Sequence, residues 1–205
     1  MSKIGIDVDG VIAEFFSIYE TITVQLTGRN LFPDRHGAAP PTWNWPQLYG
    51  YSNEEMSQVW AWIKVNPQFW MQSLTLPGSH NLMARLAFRF PSRKNDIYFI
   101  TDRPGAGAKW ITEKWIYTAF HWSATVLISS GGSKGLLAKG LSLDIFVEDK
   151  LENALDVAHA TEGRCQSFLL DRPYNRPESG ALFIPPPGFK RVKDIGELLD
   201  QEVFL

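Results

Sequence analysis

Lys3-Ile4-Gly5-Ile6-Asp7-Val8-Asp9-Gly10-Val11 stands near the start of the chain and decides how the rest is read. Ile4, Ile6 and Val8 are β-branched, and Gly10 closes the run, which predicts a short buried strand over residues 3–8. Asp7 and Asp9 are two apart, so at a strand end both carboxylates can face the same side. Outward from this strand, residues 11–26 read as a helix ending near Gly28.

The character changes over residues 29–77. Pro33, Pro40, Pro41, Pro46, Pro67 and Pro77 break the chain, and Trp43, Trp45, Tyr49, Tyr51, Trp60, Trp62, Phe69 and Trp70 crowd it. Ser52-Asn53-Glu54-Glu55 predicts a helix start, with the helix running to about Lys64. Regular alternation resumes after Pro77-Gly78. Helices are expected at 79–90, 107–120, 133–140, 152–160 and 192–201, and strands at 96–100, 124–128, 144–147 and 167–170. Strands alternating with helices predict an α/β, doubly wound parallel sheet covered on both faces. The aromatic segment then reads as a small helical cap inserted after the first strand. On this division residues 1–14 and 78–205 form the core and 15–77 the cap.

The totals fit that picture. A chain of 205 residues that is 44% hydrophobic can bury a core, and 20 basic against 22 acidic residues leave a net charge of −2. Such a balance argues against a nucleic-acid polymer as partner. Cys165 has no second cysteine to pair with, as expected of a reducing compartment. No apolar run reaches membrane-spanning length, and the acid-interrupted N-terminal strand is unlike a signal peptide. The expectation is a soluble cytoplasmic protein with no membrane partner; pairing of two copies stays open.

In a doubly wound sheet ligands bind beyond the carboxyl ends of the strands. The four expected ends carry Asp7-Val8-Asp9-Gly10, Thr101-Asp102-Arg103-Pro104, Ser129-Ser130-Gly131-Gly132-Ser133-Lys134 and Glu148-Asp149-Lys150. Each residue type has a task in phosphoryl transfer. Asp7 can attack phosphorus, and Asp9 can protonate the leaving alkoxide and then deprotonate water. Several carboxylates in one crevice call for a hard cation, and Mg²⁺ prefers carboxylate, carbonyl and water oxygens. Thr101 and Lys134 can hold the phosphoryl oxygens, with Ser133 as the cap of the helix that carries Lys134. Taken singly, Asp7-Val8-Asp9-Gly10 is a turn, Thr101 a strand-end hydroxyl, Lys134 a solvated base with Lys139 as its rival, and Glu148-Asp149 a helix cap. Their joint order along the strand ends carries the argument.

That order resembles the four motifs of the haloacid dehalogenase superfamily, and within it the 5′(3′)-deoxyribonucleotidase family. Asp7-Val8-Asp9-Gly10-Val11-Ile12-Ala13-Glu14-Phe15 resembles that family's opening motif. Phe69-Trp70 followed by Leu76-Pro77-Gly78 resembles its aromatic pair ahead of Leu-Pro-Gly. Ile100-Thr101-Asp102-Arg103-Pro104 resembles motif two, with Asp102 where the animal enzymes carry a hydroxyl, and Asp171-Arg172-Pro173-Tyr174-Asn175 is similar to a late segment of bacterial and phage relatives. The resemblance covers most of the chain, although residues 29–66 match in character alone. It implies Asp7 as nucleophile and Mg²⁺ ligand, and Asp9 as acid/base and ligand through its main-chain carbonyl. It further implies Asp149 as a direct ligand with Glu148 behind it. Phe15, Phe69, Trp70 and Asp102 become the substrate-side residues, the last through its backbone amide, since a carboxylate repels phosphate.

The expected function is therefore a Mg²⁺-dependent phosphatase for a small phosphomonoester, a nucleoside monophosphate. The same chemistry on a sugar phosphate, another metabolite or a polynucleotide end is the alternative. A phosphoacceptor signalling domain places its acidic residue after the third strand, where this chain has Ser129-Ser130. A catalytically dead homologue finds no support, because every motif position is filled. His36, His80, His121 and His159 have no metal-site spacing and read as surface or structural residues.

Overall fold

The computed structural model describes residues 2–34, 38–90, 96–176 and 183–204; His36 lies outside them. The first strand, β1 (Ile4–Ile6), is buried at all three positions. It runs parallel to β4 (Ile97–Thr101) on one side and β6 (Ile145–Glu148) on the other. β5 (Thr125–Ile128) extends the sheet beyond β4. β7 (Gln166–Leu170) and β8 (Phe189–Val192) extend it beyond β6. All five pairings are parallel, in the order β5-β4-β1-β6-β7-β8. Parallel strands need crossovers, and here these are α4 (Ser79–Arg89), α5 (Ala108–Phe120), α6 (Lys134–Leu141) and α7 (Leu151–Ala160). The winding leaves β1 toward β5, then returns to β6 on the opposite flank. The reversal opens a crevice at the carboxyl end of β1, where Asp7 stands. This is the doubly wound α/β sheet expected from the alternation.

Two elements differ from expectation. The helix predicted from Val11 begins five residues later, as α1 (Phe16–Thr27). Before it, Ala13–Glu14 forms β2 and pairs antiparallel with β3 (Leu74–Thr75). A tight turn sets this up: Gly10 has φ +85°, its N–H donates to the Ala13 carbonyl, and the Ala13 N–H donates to Val8. The Glu14 carboxylate then accepts from the N–H groups of Phe16 and Ser17 and starts the helix. Apolar residues at 11–13 serve strand or helix equally, so periodicity could not separate the two. At the other end, β8 runs to Val192, the first residue of the expected closing helix, and the helix starts later. Only α8 (Ile195–Leu199) is helical, with Asp194 accepting from the Glu197 N–H at 3.0 Å. Lys190 and Arg191 keep the β8 edge charged, which also hides the strand from an apolar-run search.

Between β2 and β3 lie α1, α2 (Trp45–Leu48), α3 (Asn53–Val65) and a 3₁₀ turn over Pro67–Gln72. α3 opens with the predicted box, Ser52 and Glu55 each bonding the other's main-chain N–H. Aromatics fill this region: Phe15, Phe16, Tyr19, Trp45, Tyr51, Phe69 and Trp70 are buried with Met56, Val59 and Ile63, and α5 adds Ile111. A separate cluster around Ile4, Ile6, Phe99, Trp115, Val147 and Phe168 packs the sheet.

The placement of α6 matters because Lys134 is its first residue. Ser133 caps it, accepting from the Leu136 N–H at 2.9 Å. Asp156 on α7 accepts from both Ser133 Oγ and the Gly135 N–H at 2.7 Å. The helices touch closely there, and a Cβ on Gly135 would lie 2.4 Å from the Asp156 carbonyl oxygen. Gly135→Ala is expected to cost about 1–3 kcal/mol by overpacking, read as a lowered urea midpoint. An unchanged midpoint would mean that the two helices separate freely.

Candidate active site

The strand ends bring the expected residues together. Asp7 follows β1, and its N–H donates to the Val147 carbonyl at 2.9 Å, which extends the β1–β6 pairing by one residue. The buried Lys134 ammonium lies 2.8 Å from Asp7 Oδ1 and 2.9 Å from Glu148 Oε2. The other Glu148 oxygen accepts the N–H groups of Asp149 and Lys150 at 3.0 and 3.1 Å. Both Glu148 oxygens are thus committed, and the residue orients Lys134. Asp149 is held from behind: Tyr174 donates its hydroxyl to Oδ2, and Asn175 Nδ2 donates to the main-chain oxygen at 2.6 Å. Gly10 is required beside it, since a Cβ there would fall 1.9 Å from Asp149 Oδ2. Lys139, the rival base, lies on the surface 3.8 Å from Glu162.

Asp7, Glu148 and Asp149 each offer a carboxylate oxygen within 4.8 Å of the others, and all three are buried. Burial, reinforced by Glu148, holds the Asp7 carboxyl well above its usual range despite the pull of Lys134. Burial and the neighbouring Asp7 push Asp149 up to about 6. Glu148 is also raised to about 6, by burial first, with Lys134 opposing and Asp149 adding. For Lys134 burial works against the charge, but Asp7 and Glu148 outweigh it and hold the ammonium above its usual value. Three acids around one base in a dry pocket leave negative charge uncompensated. Hard oxygen donors this close suit a divalent metal ion, so the donor set fits one.

Asp9 occupies the neighbouring wall. Its carboxylate takes a two-point grip from Arg103, Nε to Oδ2 at 2.9 Å and Nη2 to Oδ1 at 2.8 Å. Thr101, the last residue of β4, directs its hydroxyl toward the same carboxylate at a long 3.4 Å. The Asp102 side chain turns away from the metal-ligand set and accepts from Ser129 Oγ and the Gly131 N–H. Its carboxylate therefore organises the loop after β5, while the residue still lines the cleft.

These residues line an open cleft of about 500 Å³ together with Phe15, Trp43, Trp60, Trp70, Lys150 and Asn153. Of the substrate-side residues read from the sequence, Phe15, Trp70 and Asp102 reach the cleft. Phe69 does not: it is buried behind Trp70, ring centroids 4.8 Å apart, and packs the aromatic cluster. Trp43 and Trp60 of the crowded cap aromatics reach it too, whereas Arg103, Lys150 and Tyr174 were missed as site residues. Arg103 and Tyr174 lay inside motifs already singled out and were given no role. Of the described histidines, none lines the cleft, and His80 packs on Phe120 at 4.9 Å.

No family model matches this chain, and no curated protein matches it. Solved structures do. One is CbbY from Rhodobacter sphaeroides in complex with phosphate, at 16% identity over 100% of this chain and 99% of that one, with a TM-score of 0.56. A haloacid dehalogenase-like hydrolase from Burkholderia xenovorans aligns over 99% of this chain and 98% of its own, at 13% identity and a TM-score of 0.59. A HAD family hydrolase from Deinococcus radiodurans with bound phosphate and sodium covers 97% of this chain and 93% of its own, at 11% identity and a TM-score of 0.55. At these identities the likeness is one of fold. The chain has the fold of the haloacid dehalogenase-like hydrolases, with a buried acidic cluster at the carboxyl edge of its sheet.

Proposed function

We propose that this protein is a Mg²⁺-dependent phosphomonoesterase that cleaves nucleoside monophosphates through a phosphoaspartate on Asp7. One observation carries the reading: the Asp7 carboxylate lies buried where Lys134 and Asp149 meet, with Asp9 on the adjoining wall. Asp7 and Asp149 would hold the ion by their carboxylates and Asp9 by its main-chain oxygen, with Glu148 behind. Bound there, Mg²⁺ would neutralise phosphoryl charge and keep Asp7 ionised.

The protein's own groups account for the steps. An Asp7 oxygen attacks phosphorus as the bond to the nucleoside oxygen breaks, and Asp9 delivers a proton to that oxygen. Asp9 then removes a proton from water, which attacks phosphorus and frees Asp7 and inorganic phosphate. The Lys134 ammonium and Thr101 hydroxyl hold the equatorial oxygens where charge gathers. Asp102 takes part through its main-chain N–H, since its side chain is committed to Ser129 and Gly131.

Residues 15–77 act as the cap that sets the substrate. Phe15, Trp43, Trp60 and Trp70 line the opening, which favours a planar base over a sugar. Trp70 is 1% exposed and Trp43 is 38% exposed, with the Lys150 ammonium 4.8 Å from the Trp43 ring centre. Trp43 is therefore the better stacking surface, a contact worth about 1–3 kcal/mol. Among the described residues no helix is long and apolar enough to cross a membrane.

A phosphate-release screen with Mg²⁺ over ribo- and deoxyribonucleoside monophosphates and pentose phosphates is expected to favour nucleotides, and Asp7→Asn to abolish turnover. Turnover of pentose phosphates alone would replace the substrate class and keep the chemistry; near-normal turnover by the Asn variant would remove the covalent step. Trp43→Ala is expected to raise KM for nucleotides about tenfold and to leave a small alkyl phosphate nearly unchanged; equal changes would exclude stacking. A third check uses pH. Glu148 and Asp149 titrate near 6, above their usual values, so the ion-free folded state holds extra protons below that point and loses stability as pH rises through it. Mg²⁺ replaces those protons, so its gain in Tm should be larger at about pH 7.5 than at about pH 5. Equal gains at both would place the ion elsewhere.

A further inference from the structure

Arg103 lines the cleft as a charged side chain that the proposed reaction leaves without a task. Its guanidinium is fully buried, whereas the Asp9 side chain keeps 19% of its surface. Every arm is engaged: Nε and Nη2 on the two Asp9 oxygens, Nη1 on Thr112 Oγ1 at 3.3 Å. Two indole rings lie near it as well. Trp70 stands 4.4 Å from the guanidinium carbon and Trp115 stands 5.4 Å away. Those rings belong to different clusters, Trp70 to the aromatic one and Trp115 to that of the sheet. Each of its three nitrogens has a protein partner and the group is fully buried, so Arg103 is placed to hold Asp9.

What it can do is fix a carboxylate. An exposed Asp at a strand end samples several rotamers, whereas one gripped by a buried planar fork anchored at three points is held to one. We propose that Arg103 is the positioning residue that aims Asp9 at the leaving-group oxygen. Its own geometry is set by the packing of the aromatic region against the sheet. The inference rests on the phosphatase reading, in which Asp9 gives up one arm of the fork on taking up a proton and hands that proton to the leaving oxygen as the phosphorus–oxygen bond breaks. In kcat/KM, which ends at loss of the leaving group, a misaimed acid matters only when the leaving oxygen needs that proton.

The test measures kcat/KM with Mg²⁺ for p-nitrophenyl phosphate, whose leaving group departs unaided, and for phenyl phosphate and a nucleoside monophosphate, whose leaving groups do not. Arg103→Lys keeps a buried cation beside Asp9 and removes the fork. It is expected to cost about tenfold or more on the two poor leaving groups and no more than about twofold on p-nitrophenyl phosphate. Thr112→Val leaves Asp9 and the charge untouched, loosens one anchor, and should give a smaller split of the same sign. It decides the matter if the lysine variant does not fold. Equal losses on all three substrates, or no loss, would make Arg103 a structural residue and overturn the proposal while the phosphatase reading stands. A wild-type protein inactive on every phosphate would overturn both.

Discussion

The rest of the structure depends on one ammonium held between two carboxylates at the end of the central strand. Lys134 bridges Asp7 and Glu148, all three buried, so that α6, β1 and β6 meet at a single charged point. Such a pair is not a simple gain in stability, because removing charges from water costs several kcal/mol per ion. Its effect is positional. Taking away one partner would leave an uncompensated buried charge, a loss of about 3–5 kcal/mol, so the three elements are bound to one arrangement. The register of β1 against β6, the grip of Asp156 on the start of α6 and the bare Gly10 all serve that arrangement.

The charge at this point does not balance with Lys134 alone. Asp149 adds a third acid and is held in place by Tyr174 and Asn175, donors from the segment after β7. A site that concentrates fixed negative charge in a dry pocket favours cations and anions that arrive together with a cation. That is the electrostatic logic of phosphoryl transfer, in which preorganised charge meets charge that develops. The aromatic region supplies what the sheet edge lacks, apolar walls that keep water out and offer ring faces. Arg103 is one place where the two clusters meet, near a ring from each and with Asp9 in its fork.

Much of the site was legible along the chain because a doubly wound sheet places consecutive strand ends at one edge. Asp7, Thr101, Lys134 and Asp149 are far apart in sequence, yet each lies at or within six residues of the end of a predicted strand. The rule that ligands bind at carboxyl ends was enough to gather them. The Ser52 box on α3 and the Ser133 cap on α6 were readable for the same reason, since both are local patterns. Phe69 and Trp70 show the opposite case. Adjacent in sequence and equally aromatic, they differ in that Trp70 reaches the cleft and Phe69 faces the cluster behind it. No spacing rule separates them inside a 3₁₀ turn.

The sequence by itself determined the α/β alternation, the carboxylates at the strand ends and the single base near the third of them. These follow from short-range periodicity and from the chemistry of residue types. The tertiary structure decided which oxygen meets which donor. It turned Asp102 toward the Ser129–Gly131 loop, gave Arg103 to Asp9 and Tyr174 to Asp149, paired β2, read as the start of a helix, with β3, and added the β8 edge. Each of those outcomes is set by a partner at least 20 residues away along the chain. Hydrogen bonds and packing across such separations leave no mark in a local pattern, because either partner alone is compatible with many others.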